Sequence, residues 1–103
     1  MEKIYFTIVG LRYYHGDEFL EKGMEVLLKK DTENEHDSEA IQVELPVVGK
    51  IGYVANSPHT VIGECFSAGR MYDKMEEEAI GKVFYVLDDG VVCELLCDKQ
   101  GEE

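Results

Sequence analysis

Ile80-Gly81-Lys82-Val83-Phe84-Tyr85-Val86-Leu87, then Asp88-Asp89-Gly90, then Val91-Val92-Cys93-Glu94-Leu95-Leu96-Cys97, is the stretch that decides the fold class. Two apolar runs rich in β-branched and aromatic residues are separated by an Asp-Gly turn signal. That combination reads as a β-hairpin. Earlier in the chain the same period of two recurs. Between Lys3 and Leu11, Ile4, Phe6 and Ile8 fall on one face and Tyr5, Thr7 and Val9 on the other, a strand covered largely on both sides. Met24 to Lys30 reads as a second strand. Ala40 to Leu45 is a third, with Ile41, Val43 and Leu45 on one face, and Lys50 to Val54 is a fourth. Six short strands with turn residues between them predict a mainly β chain, a small six-stranded barrel with one or two short helices.

The clear helix is predicted to start at Ser57-Pro58, with serine as N-cap and proline in the first turn. Val61, Ile62, Cys65, Phe66 and Ala68 follow at helical spacing, and Gly69 is placed as the glycine that ends it. Arg70 to Glu78 reads as a second short helix or an exposed connector. Phe19 and Leu20 are expected to tuck inward from a polar connector. The chain divides as one domain over residues 1–98 and a flexible acidic tail over residues 99–103.

With 103 residues there is room for one core without a disulfide framework or structural metal. Cys65, Cys93 and Cys97 are an odd set and read as small buried hydrophobes, with Cys93 and Cys97 neighbours on the core side. No apolar run approaches the ~20 residues that span a bilayer, and the N-terminus lacks the pattern of a secretory signal. The expectation is a cytoplasmic protein with no membrane association. The net charge of -12 repels phosphate at long range, so a nucleic-acid role must rest on a local site. The same charge suits a basic protein partner.

Three constellations carry chemistry. In Val9-Gly10-Leu11-Arg12-Tyr13-Tyr14, an arginine suited to phosphate stands beside two aromatic faces on which bases stack. The structural alternative puts one tyrosine in the core and Arg12 in solvent. In Asn34-Glu35-His36-Asp37-Ser38-Glu39, a loop offers Asn34, His36 and Asp37 to a ligand, or is an Asx-type turn leading into a strand. Its alternating acids faintly resemble a calcium loop, but His36 occupies the position that needs glycine. Ile51-Gly52-Tyr53-Val54 leads to the capped helix, whose first N–H groups near Ser57 to Thr60 either hold a phosphate or are simply capped. Nothing assembles into a catalytic set: no nucleophile elbow, HExxH or glycine-rich phosphate loop occurs, and His15, His36 and His59 lie on three separate connectors. A metal-dependent hydrolase or nuclease using the acids of residues 31–39 stays open as a rival.

Val-Gly-Leu-Arg-Tyr-Tyr at a strand end, Asn34-x-x-Asp37-x-x-Ala40-Ile41, and Ile51-Gly52-Tyr53 before a helix occur in an order that resembles the HIRAN domain family. The resemblance covers roughly Phe6 to Phe66. It implies an OB-like or SH3-like barrel without catalysis of its own, binding single-stranded DNA at a free 3′-hydroxyl. It implies as partner a helicase-like translocase or nuclease supplied by another chain, in DNA repair or replication, and no cofactor. By motif position Arg12 and Tyr13 would meet the terminal phosphate and base and Tyr14 would add to the pocket. Asn34 and Asp37 fall on the loop, Asp37 as acceptor for the 3′-hydroxyl, and Tyr85 would complete the base pocket. His36 stands where the family carries an aromatic, and Ala55 and Asn56 where it carries a basic residue. Tyr53 and Asn56 complete the candidate set. The alternative function is a protein-interaction module on the same scaffold.

Overall fold

Alternation along each strand becomes an inner and an outer row in the computed structural model, which describes residues 3–11, 20–88 and 90–98. Arg12, Tyr13, Tyr14, His15, Phe19, the N-terminal pair Met1-Glu2 and the tail of residues 99–103 lie outside the described residues, as does Asp89.

Among the described residues the strands are β1 (Tyr5–Val9), β2 (Glu25–Lys30), β3 (Ile41–Leu45), β4 (Gly49–Val54), β5 (Glu78–Leu87) and β6 (Gly90–Asp98), with one helix, α1 (Ala68–Tyr72). They close into an antiparallel barrel in the order β1-β4-β3-β2-β5-β6. Ile41, Val43 and Leu45 point inward, as the alternation predicts, and meet Phe6, Ile8, Leu28, Ile51, Val83 and Val91 in the core. Phe6 is fully buried, and its ring lies over Gly81, where a Cβ would stand 2.6 Å from it. The Asp-Gly signal holds too: Leu87 pairs with Gly90 across a two-residue connection.

Gly52, the centre of Ile-Gly-Tyr, lies on β4 next to Tyr53, which pairs with Val9 of the antiparallel neighbour β1. A Cβ there would stand 2.5 Å from the Val9 carbonyl oxygen and 3.0 Å from Ile8 Cγ2. The glycine therefore sets how closely the two strands approach.

The helix is not where the local signals put it. Ser57 caps a single turn, its hydroxyl accepting from His59 N at 3.1 Å and its carbonyl from Val61 N at 3.0 Å. The turn does not propagate, because β1 claims the next donors. Ile62 N donates to Thr7 Oγ1 at 3.1 Å and Phe66 N to the Tyr5 carbonyl at 2.7 Å. Gly63, at φ 57°, turns the chain in the left-handed region. Residues 57–66 thus form a strap over the outer face of β1, which is why Thr7 is fully buried although it points away from the barrel interior. The helix begins instead at Ala68, capped by Ser67, whose Oγ accepts from Arg70 N at 3.3 Å. Gly69 is inside it rather than past its end. The phosphate-holding helix start expected at Ser57 to Thr60 is accordingly absent.

Cys65 and Cys93 are buried free thiols, as their apolar neighbourhoods suggest. Burial, together with Cys65 nearby, pushes the Cys93 thiol up to about 12. None of the helices among the described residues is long and apolar enough to cross a membrane.

Candidate nucleic-acid interface

The β2–β3 loop is built from short polar side chains that bond their own backbone. Asp31 N donates to the Ala40 carbonyl at 2.9 Å and closes its base. Asn34 Oδ1 accepts from both His36 N and Asp37 N at 2.9 Å, an Asx-type turn. Asp37 repeats the device one step on, its Oδ1 accepting from Glu39 N at 2.9 Å. The turn reading and the ligand-presenting reading of this loop are compatible: the turns fix the backbone and leave His36 exposed and Asp37 half-buried.

Asn56, just past β4, ties this loop to the helix. Its Nδ2 donates to Asp37 Oδ2 at 3.1 Å and Oδ1 at 3.3 Å, and its Oδ1 accepts from Gly69 N at 2.8 Å. A Cβ at Gly69 would stand 3.3 Å from Asn56 Oδ1 and 2.5 Å from Glu39 Oε1, the end of an exposed side chain that can swing aside. A second tie comes from β4. Tyr53 OH donates to Asp31 Oδ2 at 2.9 Å and accepts from Lys50 Nζ at 3.0 Å. Asn34 Nδ2 reaches the same Asp31 oxygen at 3.5 Å.

The fold therefore brings Asn34, His36, Asp37, Tyr53 and Asn56 into one polar surface, drawn from the loop and from β4. Tyr85 is not joined to it by contact. It stands on β5 seven residues beyond Glu78, the partner of Lys29 beside the loop, roughly 20 Å along the strand. There its ring packs edge-on against Phe84 at 4.7 Å, with Lys22 Nζ 5.4 Å from its centroid. Arg12, Tyr13 and Tyr14 lie outside the described residues. Sequence reasoning passed over Arg70, whose guanidinium lies 4.0 Å from the centroid of the Phe66 ring. Its only sequence signal is a serine three residues before it, and that was masked by the stronger cap pattern at Ser57. The acids of residues 31–39 do not converge. Asp31 faces Tyr53, Asp37 faces Asn56, and no group of three metal-ligating side chains occurs among the described residues.

Asp37 is an acceptor with capacity to spare. Its carboxylate receives Asn56 Nδ2 and Glu39 N, while Oδ2 meets the amide alone. A carboxylate so placed accepts a hydrogen bond from a hydroxyl and repels a phosphate.

The described residues form a closed antiparallel six-stranded barrel with a polar loop surface beside β4. A family model for the HIRAN domain matches residues 1–83, and the chain belongs to that family, generally a nucleic-acid-binding module. The match takes in β1 to β4, α1 and β5 as far as Val83. A solved crystal structure of a protein from Lactobacillus plantarum is 27% identical, with a TM-score of 0.55. The similarity covers 91% of this chain and 96% of that one. No curated protein matches the chain.

Proposed function

We propose that this HIRAN domain binds the end of single-stranded DNA carrying a free 3′-hydroxyl, without catalysis of its own, and guides a helicase-like translocase or nuclease supplied by another chain. The observation that carries the reading is the Asp37 carboxylate, held by Asn56 and by Glu39 N with Oδ2 left able to accept. An unmodified end donates its hydroxyl there. A 3′-phosphate brings roughly -1.5 to -2 charges against the carboxylate and is rejected. The bases stack on aromatic faces, for which Tyr13, Tyr14 and Tyr85 are the candidates.

Fluorescence anisotropy at low salt, comparing 3′-hydroxyl with 3′-phosphate oligonucleotides, tests it. A preference for the hydroxyl of about tenfold or more is expected, equivalent to about 1.4 kcal/mol. Equal affinity for the two ends would sink the end-recognition reading.

One observation favours a second reading, a protein-interaction module. Phe84, Tyr85, Val86 and Leu87 are 37%, 51%, 48% and 48% exposed, four consecutive apolar residues at the end of β5. Runs of that kind on a surface mark contact sites. With a net charge of -12 the partner would be basic. Replacing Val86 and Leu87 with serine should then abolish capture of a basic protein that the parent domain retains. Unchanged capture would count against this surface.

A further inference from the structure

Beside Asp37 the cation of the described site is Lys50, whose Nζ is bonded to Tyr53 OH. The surface beyond Asn56 supplies a second cation, Arg70. A groove of about 330 Å³ between the strap and α1 is lined by Asn56, Val61, Cys65, Ser67 and Arg70. Asn56 belongs to both places: one end of its amide meets Asp37, and the residue also lines the groove.

Arg70 is held for an incoming acceptor. Its guanidinium lies over the Phe66 ring at 4.0 Å, and Phe66 is buried and pinned to β1 through the Tyr5 carbonyl. Its backbone N–H is tied to Ser67 Oγ. Stacking uses the flat face of the guanidinium and leaves its N–H edge available. Among the described residues Arg70 makes no ion pair, on a chain that carries 22 acids to 10 bases. Other cations are engaged differently: Lys3 pairs with Glu94, Lys50 bonds Tyr53, and Lys30 sits over Tyr72. Two carboxylates stand on the loop side of this region, Glu39 against Gly69 and Asp37 against Asn56. Arg70 is the cation that lines the groove, and an anion entering it is drawn to that guanidinium.

We propose that Arg70 holds a backbone phosphate of the strand whose 3′-hydroxyl meets Asp37, and that the groove from Asn56 to Arg70 is the path of that strand. This rests on the end-binding reading and adds to it a phosphate contact, the direction of the strand and a salt dependence.

The test uses the full chain and short oligonucleotides in which each of the last three phosphates is replaced in turn by a neutral methylphosphonate. In the parent, one of the three replacements should weaken binding about tenfold. In Arg70→Gln, affinity for the unmodified strand should fall by a similar factor, and that replacement should cost nothing further. The slope of log K against log salt should drop by about 0.7 in the variant, the value for one phosphate on a single strand. Arg70→Lys should keep the slope, and matched thermal melts will show that Arg70→Gln folds. If Arg70→Gln keeps the parent's affinity and slope, or if all three replacements stay additive with it, the groove assignment is overturned. A parent that binds the two kinds of 3′ end equally, yet shows the coupling to Arg70, would retire the Asp37 reading and leave the phosphate site standing. A parent that binds no DNA would remove both.

Discussion

Replacing Asn56 with alanine removes the amide that stands between Asp37 and α1. Three contacts go with it: Nδ2 to the two Asp37 oxygens at 3.1 and 3.3 Å, and Gly69 N to Oδ1 at 2.8 Å. A hydrogen bond to a charged group contributes about 1.5–3 kcal/mol and one between neutral groups about 0.5–1.5 kcal/mol. The site is only half-buried, so water replaces part of what is lost. The expected cost is therefore about 1–2 kcal/mol. For a domain of this size that lowers the Tm by roughly 5–15 °C. The loop keeps its Asx turns, because Asn34 and Glu39 N are untouched, so the loss is of position rather than of fold. Discrimination between 3′-hydroxyl and 3′-phosphate ends should shrink together with the Tm. Asn56→Asp makes a useful companion. It keeps an acceptor for Gly69 N but sets a second carboxylate against Asp37, and should lose more DNA affinity than alanine does. Thermal melts by circular dichroism and anisotropy titrations read both effects. If Asn56→Ala melts within about a degree of the parent and keeps its end preference, the amide is not what orders Asp37, and the reasoning fails.

Two further outcomes follow from the barrel itself. Gly52→Ala pushes a methyl against the Val9 carbonyl oxygen and Ile8 Cγ2, neither of which can move without opening the β1–β4 pair; a loss of about 1–3 kcal/mol in urea unfolding is expected, and a neutral result would mean the strands separate freely there. The Cys93 thiol is raised to about 12 in the folded state against 9.0 for a free thiol, so the unfolded chain gives up its proton first. Its contribution to stability is complete below about 9 and is lost as the pH rises toward 12. Urea midpoints measured from pH 8 to 11 should fall more steeply for the parent than for Cys93→Ala, and parallel curves would contradict the assignment.

How far the sequence could be read depends on how local each signal is. Alternation in β1 and β3, and the Asp-Gly connection between β5 and β6, are properties of adjacent residues, and the barrel follows from them. Ser57-Pro58 is also a local signal, and it does form a turn. It fails to grow a helix because the N–H groups of Ile62 and Phe66 find partners on β1, more than fifty residues back in the chain. Tertiary pairing overrode propensity, as it does wherever a better acceptor is within reach. The loop turns at Asn34 and Asp37 were legible for the same reason as the hairpin. The bridge from Asp37 through Asn56 to Gly69 was not, because it joins three segments that only the closed barrel brings together. Arg70 was obscured with it: its place in the groove depends on where the strap leaves Phe66.

The closure of the barrel by its first and last strands has a mechanical consequence. Tyr5 lies in register with Glu94, and Lys3 Nζ reaches Glu94 Oε2 at 3.5 Å, so the start of β1 and the later part of β6 are side by side. A host polypeptide running in at β1 and out at β6 would grip the domain at one spot, like a bead hung from a single knot. Pulling on both ends would peel the β1–β6 seam directly instead of stretching the whole sheet. The seam is where mechanical load applied at the two ends would unzip the fold first.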